Sequence, residues 1–382
     1  MLTSPQPSAF ERENLSAGQE ILPLPRFAPG VQMRDPNGGF RLCLSESSVG
    51  CCPEAAEAMQ AELADVHRYP DATAGALTRA LAKHTGLPEE SVVAGNGIDE
   101  LLLHSALAFL VGGRGTGVVS ASTYPGHAAA VSAVRAPCIT VPLRPDAGVD
   151  TEAMMDGLRV PGSTAILCNP HNPTGATVTV DDMAALVRVA QEYGSVLIID
   201  EAYMEFAEPD LAVSAIAYLH QEFPVVVLRT FSKIYGLAGL RCGYALAPPD
   251  LADQIRRIKN VTVFNVNRYA LAAAEAALGN QEFIAHVRTV TRNTMAEFRH
   301  TMSGAPWFTA HPSVTNFLLC ELPWDALRVA AELSQRGILV RPCADLGFPR
   351  GLRIAIGTRQ EMHTLAASLS DVAELLISRG LR

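Results

Sequence analysis

Between residues 92 and 228, short apolar runs alternate with amphipathic stretches, and this alternation limits the fold more than any other feature of the chain. The stretches between the runs, such as 97–110 and 180–192, place apolar residues at helical spacing. Largely apolar runs predict strands that are buried on both faces of a sheet. We therefore expect an α/β fold, in which helices cover both faces of a mostly parallel sheet. The predicted strands are 92–94, 117–120, 139–141, 165–168, 196–199 and 225–228.

The pattern changes after about residue 268, where long helical stretches precede a few separate strands. This order is typical of a second, α+β domain, and a chain of 382 residues is long enough for two domains. The predicted elements of this part are helices 270–278 and 281–302, strands 316–320, 338–341 and 352–356, and a last helix from about 360. We divide the chain into an irregular N-terminal arm (1–42), a large domain (43–268) and a small C-terminal domain (269–382).

Composition excludes several classes of partner. The formal net charge of −9 disfavours binding to nucleic acid or to an anionic membrane surface. No apolar run approaches the roughly 20 residues that a membrane-spanning helix needs, and the N-terminus lacks the pattern of a signal peptide. The eight cysteines form no CxxC pair and no Cys/His set with zinc spacing. We expect a cytoplasmic protein with reduced thiols and no bound metal.

Two polar segments directly follow predicted strands, at the sheet edge where ligands of such folds bind. Asn172 lies in an Asn-Pro-Thr-Gly turn, where its amide could bind a ligand oxygen or serve only the turn. Asp200 ends the strand 196–199 and precedes Tyr203. A carboxylate that ends a buried strand needs a cationic partner. A protonated pyridine nitrogen, a metal or a structural arginine would each meet that need.

Two further segments suggest an amine and an anion site. Lys233 follows strand 225–228 in a run with almost no other charge before Arg241, which suits an amine that forms a Schiff base. Arg241 has the fork geometry that grips phosphate. The loop 95–100 opens a helix, and its glycines let the backbone approach a phosphate at the helix N-terminus. The glycine-rich run 113–117 precedes a strand instead, so we discard it as a dinucleotide motif.

Together these segments resemble the class I and II aminotransferases, which are fold-type I enzymes that use pyridoxal 5′-phosphate (PLP). Within this group the sequence is most similar to the histidinol-phosphate aminotransferases. The likeness extends from about Arg68 to the end of the chain. Its motifs are Arg-Tyr-Pro at 68–70, the loop 95–100, Thr-Tyr at 123–124, the turn 171–175 and the segments 200–206, 232–244, 312–317, 337–341 and 352–358.

The resemblance implies a fold-type I large domain, a smaller α+β domain and a homodimer that passes an amino group from a donor to a keto acid. It also implies that Lys233 holds PLP as a Schiff base and that Asp200 pairs with its ring nitrogen. The other implied contacts are Asn172 and Tyr203 to the 3′-oxygen, Tyr124 to the ring face, Gly97, Ile98, Asp99, Ser232 and Arg241 to the phosphate, Tyr69 to the phosphate of the partner subunit's cofactor, Arg353 to the substrate carboxylate and Arg341 to a second anionic group.

The sequence departs from this family on the predicted substrate side. The family's Asn-Glu-Asn-Pro-like motif is replaced by Leu-Ser-Glu-Ser-Ser-Val-Gly at 44–50, and His127 stands where the family has a second aromatic residue. We therefore expect an aminotransferase of a specialised biosynthetic pathway that turns over histidinol phosphate poorly. The alternatives are a genuine histidinol-phosphate aminotransferase, a PLP decarboxylase, lyase or cyclase, and a PLP-binding module without catalysis. Lys233, Asp200 and Arg353 together argue against the last.

Overall fold

A computed structural model of the protein describes residues 39–112, 115–208 and 210–380, so most of the predicted arm lies outside the described residues. The strands are β1 (Phe40–Arg41), β2 (Val92–Gly95), β3 (Gly117–Ser120), β4 (Cys138–Val141), β5 (Thr164–Cys168), β6 (Val196–Asp200), β7 (Val225–Thr230), β8 (Gly243–Leu246), β9 (Thr309–Ala310), β10 (Phe317–Glu321), β11 (Ile338–Leu339), β12 (Arg341–Pro342) and β13 (Gly351–Ala355).

Twelve helices lie between and after these strands in the described residues. They are α1 (Pro53–Ala61), α2 (Gly75–Thr85), α3 (Ile98–Phe109), α4 (Gly126–Ala133), α5 (Thr151–Leu158), α6 (Val180–Tyr193), α7 (Ile216–Leu219), α8 (Pro249–Lys259), α9 (Arg268–Gly279), α10 (Gln281–Met302), α11 (Ala326–Ser334) and α12 (Arg359–Ser378). No helix among the described residues is long and apolar enough to cross a membrane.

The central sheet has the strand order β2-β8-β7-β6-β5-β3-β4. Its strands are parallel except β8, which runs antiparallel to both of its neighbours. Leu197, Ile198 and Ile199 of β6 are completely buried, as expected for a strand covered on both faces. The predicted α/β fold with a mostly parallel sheet is confirmed. Strand β8 was not predicted, because it begins within the glycine-rich run 236–243, which reads as a loop.

A smaller antiparallel sheet, in the order β12-β13-β10-β9, has a separate hydrophobic core. Leu318 and Ile354 of this sheet pack with Leu365 of α12. The prediction of one strand over 338–341 was wrong. The segment divides into β11, which pairs in parallel with β1, and β12, which pairs with β13. Residues 40 and 41, which we assigned to an irregular arm, therefore form a strand with the C-terminal part of the chain.

Strand register places the predicted functional segments at one edge of the central sheet. Cys168, at the end of β5, pairs with Asp200, at the end of β6, and Asp200 pairs with Leu228 of β7. Because β2 runs in the same direction as β7, the N-terminus of α3 lies at the same edge. The turns after β5, β6 and β7 and the loop into α3 consequently converge there.

Candidate active site

One cavity opens at this edge of the sheet, and it gathers most of the predicted site residues. Its lining consists of Ile98, Asp99, Tyr124, Cys168, Asn172, Asp200, Ala202, Tyr203, Thr230, Ser232, Lys233 and Arg241. Gly97 lies beside this lining, whereas Tyr69, Arg341 and Arg353 lie outside it. Cys168 and Thr230 were not predicted, since they belong to buried strands and carry no motif of their own.

Lys233 projects into the cavity from a rigid turn. Phe231 and Ile234 on either side of it are completely buried, and the backbone N–H of Gly236 donates to the carbonyl of Lys233 at 3.0 Å. Gly236 has φ +71°, and a Cβ there would lie 2.0 Å from the carbonyl oxygen of Gly50, so only glycine fits. The Lys233 Nζ donates to the carbonyl of Leu44 at 2.9 Å. The turn thus fixes the backbone, while the amine stands free of any carboxylate among the described residues.

Asp200 lies at the cavity floor and is 4% exposed. Its Oδ1 accepts from the backbone N–H of Ala202 at 3.1 Å. Its Oδ2 lies 2.9 Å from the Nε2 of His127, which is fully buried. Since an ionised carboxylate only accepts, Nε2 donates this hydrogen bond. A buried, oriented carboxylate with a face toward the cavity suits a cationic ring nitrogen as a partner.

The expectation that His127 lies on the substrate side was wrong. His127 is on α4, and its imidazole contacts the Asp200 carboxylate. Its ring meets the Tyr124 ring edge-on, with centroids 5.7 Å apart. The only sequence signal was its place three residues after Tyr124, which puts both side chains near the same helix start. His127 is therefore the functional candidate whose position sequence reasoning missed.

The opposite end of the cavity is built to hold an anion. α3 begins at Ile98, so the unpaired N–H groups of its first turn face this end. Gly97 has φ +86°, and a Cβ there would lie 2.7 Å from the Nη2 of Arg241. Arg241 Nη1 donates to Ser232 Oγ at 3.3 Å. A guanidinium, a hydroxyl and helix N–H groups thus converge, which is the donor set that phosphate prefers.

Asp99 and Tyr124 flank this anion site. Asp99 accepts from Tyr124 OH at 2.8 Å and from Arg241 Nη2 at 3.2 Å. Burial, and after it the nearby Asp99 carboxylate, raise the pKa of Tyr124 far above its usual range. Tyr124 is consequently a neutral phenol whose hydroxyl donates a hydrogen bond to Asp99. Its ring is one wall of the cavity.

Arg353 lies at the rim and connects the smaller sheet to the cavity. Its Nη1 donates to Asn172 Oδ1 and its Nη2 to the carbonyl of Cys43, each at 2.7 Å. Its guanidinium lies 5.5 Å from the centroid of the Phe317 ring. Both acceptors are neutral, and in the described part of the chain no carboxylate pairs with this group. Arg353 therefore keeps an uncompensated positive charge.

Tyr69 and Arg341, the remaining predicted residues, lie outside the cavity lining. Tyr69 is 79% exposed and stacks on Phe264, with ring centroids 4.7 Å apart. Arg341 is paired with Asp345, its Nη2 lying 2.6 Å from Oδ2. Neither side chain reaches the cavity within this single chain.

The cavity residues fit PLP. One cavity contains an amine that can bond covalently to an aldehyde, a carboxylate for a protonated ring nitrogen and a group of phosphate donors. These three features match the functional groups of this cofactor. The tyrosines 124 and 203 add aromatic surface for a ring. The fold and the cavity define a fold-type I, PLP-dependent enzyme.

Comparison with known proteins narrows this class. The family described as "Aminotransferase class I and II" matches residues 38–369. Histidinol-phosphate aminotransferase 2 of Pseudomonas aeruginosa is 36% identical over 342 residues, covering 88% of this chain and 90% of that protein. The chain belongs to the class I and II aminotransferases, and it is a PLP-dependent aminotransferase.

Solved structures agree with this assignment. Histidinol-phosphate aminotransferase from Sinorhizobium meliloti, in complex with pyridoxal-5′-phosphate, superposes with a TM-score of 0.79 and 30% identity, covering 88% of this chain and 91% of that one. L-Threonine-O-3-phosphate decarboxylase from Porphyromonas gingivalis has a TM-score of 0.76 at 22% identity, covering 87% and 99%. The second likeness concerns the fold alone.

Proposed function

We propose that the protein transfers the amino group of an α-amino acid whose carboxylate binds Arg353, and that histidinol phosphate is a poor substrate. The observation that carries this proposal is the uncompensated guanidinium of Arg353, which shares Asn172 with the cofactor cavity. A substrate carboxylate would replace the neutral acceptors with a bidentate, charge-assisted pair. That contact would hold the amino acid over the cavity that also contains Lys233.

Each cavity residue has a proposed role. PLP, when bound, supplies an electron sink for negative charge at the substrate's α-carbon. Lys233 attaches the cofactor and then moves the proton at that carbon. Asp200, oriented by His127 and the N–H of Ala202, keeps the ring nitrogen protonated. The others hold the cofactor: Asn172 and Tyr203 at the 3′-oxygen, Tyr124 at the ring, and Gly97, Ile98, Asp99, Ser232 and Arg241 around the phosphate.

The segment 44–50 supports a substrate other than histidinol phosphate. It meets the site through its backbone, since the carbonyl of Leu44 accepts from Lys233 and that of Ser45 from Asn316 Nδ2 at 3.0 Å. The Glu46 side chain is turned away and paired with Arg41 at 2.6 Å. Because the Glu46 carboxylate is already paired with Arg41, it is not free to accept from a substrate imidazole. A site that leaves polar substrate atoms unpaired discriminates by about 10²–10⁴-fold.

A panel of amino donors tests the substrate proposal. We expect kcat/KM for the best α-amino acid to exceed that for histidinol phosphate at least about 10²-fold, with the same keto acid as acceptor for every donor. Cofactor absorbance reports each half-reaction, and product analysis separates amino transfer from decarboxylation. A clear preference for histidinol phosphate would disprove the substrate proposal. An amine formed with loss of carbon dioxide would assign the chain to the decarboxylases instead.

Exposed apolar side chains around Tyr69 support a homodimer with sites at the interface. Val66 is 66% exposed, Val261 81% and Val263 56%, and each lies within three residues of Tyr69 or Phe264, whose rings stack on each other. Apolar groups clustered in this way on a surface mark an interaction site. A second copy of the chain would cover them and receive Tyr69 at its phosphate site.

Two substitutions test dimer formation and phosphate binding by Tyr69 separately. Phe264→Asp should shift the protein toward monomer in analytical ultracentrifugation, because a buried unpaired carboxylate opposes association. Tyr69→Phe should keep the dimer but weaken PLP binding about ten-fold, the loss of one charge-assisted hydrogen bond. Tyr218→Phe is the matched control, because Tyr218 also packs on a phenylalanine but lies on α7. A fully active monomer at assay concentration would refute the interface.

A further inference from the structure

Arg341 and Arg353 lie side by side on one face of the smaller sheet. In the antiparallel pair β12–β13, Arg341 is directly opposite Arg353. Side chains of opposed residues point to the same face, with Cβ atoms about 5 Å apart. Arg353 reaches Asn172 of the cavity lining, so this face is turned toward the site. Two guanidinium groups at this spacing would suit a substrate with two anionic groups.

The two arginines differ in what neutralises them. Arg353 contacts only neutral oxygens, those of Asn172 and Cys43. Arg341 is paired with the Asp345 carboxylate at 2.6 Å, and the Arg341 side chain is 16% exposed while that of Asp345 is 53% exposed. The pair is therefore partly open to water, which screens it in part, but the carboxylate still neutralises the Arg341 guanidinium at hydrogen-bond distance. Arg353 thus presents a net positive charge to a ligand, whereas the charge of Arg341 is neutralised by Asp345.

Asp345 is held in place by the loop between β12 and β13. It lies in the 3-10 turn Ala344–Leu346, which is closed by the N–H groups of Leu346 and Phe348 donating to the carbonyl of Cys343, each at 3.0 Å. Gly347 has φ +85°, and a Cβ there would lie 2.9 Å from Ser122 Oγ. The loop therefore packs against Ser122, which belongs to the large domain and lies two residues before Tyr124 of the cavity. This packing holds the backbone of Asp345 at a position from which its carboxylate reaches Arg341.

We infer that Asp345 sets the side-chain specificity of the site. By pairing with Arg341 it removes the second positive charge, so the site takes amino acids with one carboxylate and an uncharged side chain in preference to those with an acidic or phosphorylated side chain. An anionic side chain would have to displace Asp345 from Arg341 or stand beside its negative charge. The inference rests on the proposed binding of a substrate carboxylate by Arg353.

Equilibrium binding to the PLP-loaded enzyme tests this without turnover. Glutarate and pentanoate have the same number of carbons but carry two carboxylates and one, and calorimetry measures the Kd of each. For the wild type we expect glutarate to bind no more tightly than pentanoate. In Asp345→Asn, glutarate should bind about ten-fold more tightly or better, since Arg341 is freed for a charge-assisted pair, while pentanoate binding should not change.

Two further variants make the test specific. The gain for glutarate should disappear in the double variant Asp345→Asn/Arg341→Gln. Asp253→Asn, which breaks another Asp–Arg pair at the same four-residue spacing on α8, should leave both Kd values unchanged. An unchanged glutarate-to-pentanoate ratio in Asp345→Asn, or a wild type that already prefers glutarate ten-fold, would overturn the inference. If the ratios behave as expected but no amino acid is turned over, the proposed function fails and the role of Asp345 stands.

Discussion

Lys233→Ala is expected to abolish covalent attachment of PLP and to lower amino transfer by about 10⁴-fold or more. Only a primary amine forms the bond to the cofactor's aldehyde, and Lys233 carries the amine that lines the cavity. The same amine is the proposed mover of the substrate proton, a contribution worth about 10²–10⁴-fold by itself. The two losses fall on one substitution, which makes this the largest effect we expect.

The chain makes this experiment unusually clean, because it contains only three lysines, Lys83, Lys233 and Lys259. Borohydride reduction followed by peptide mass spectrometry should place the cofactor on Lys233 alone. Lys83 is exposed on α2, and Lys259 is buried on α8 with its Nζ donating to the carbonyl of Ala72 at 3.0 Å. Lys83→Met and Lys259→Met are therefore the controls that should keep the label. Label retained in Lys233→Ala would show that another amine holds the cofactor.

Asp200→Ala should lower kcat/KM by about 10³-fold while PLP stays attached to Lys233. Without the carboxylate the ring nitrogen loses its proton and the cofactor loses its power to stabilise charge at the α-carbon, a loss in the range seen for other preorganised electrostatic groups. The substitution also leaves the buried Nε2 of His127 without its acceptor. Thermal unfolding of the variant therefore has to be measured beside its rate.

Graded variants separate electrostatics from structure. Asp200→Asn keeps the shape but not the charge, so it should be nearly as slow as Asp200→Ala. His127→Gln keeps the carboxylate and loses one of the two groups that orient it, so it should be slowed about ten-fold. If Asp200→Asn turned over at nearly the wild-type rate, charge at this position would have no part in the reaction.

The edge of the sheet where the site lies could be predicted because it depends on local pattern. Runs that are apolar at every position fix which strands are central, and the residues that follow such strands must meet at one edge. Lys233, Asp200 and Asn172 were found in this way. Strand β8 was missed, because four residues after a glycine-rich turn carry too little pattern to show an antiparallel pairing.

Other features depend on contacts between distant parts of the chain, which no local pattern reports. The position of His127 behind Asp200 joins residues 73 apart. The division of 338–341 into two strands depends on pairing with Phe40–Arg41 on one side and Gly351–Ala355 on the other. Arg341 and Asp345 are close in sequence, but their pairing bears on the substrate only because Arg353 lies directly opposite Arg341. The sequence indicated two arginines for anionic substrate groups, whereas in the structure Arg341 is paired with Asp345 and Arg353 has no carboxylate partner among the described residues.

The pairing of β1 with β11 has a consequence for the order of events during synthesis. Phe40 pairs with Ile338, so β1 has no partner strand until a segment about 300 residues further along the chain has been synthesised. The next residues supply the carbonyls of Cys43 and Leu44 that meet Arg353 and Lys233. Contacts this distant in sequence close late in folding. The strands of the central sheet can pair before residue 338 is synthesised, but the segment that contacts Lys233 and Arg353 is anchored only after β11 has been made.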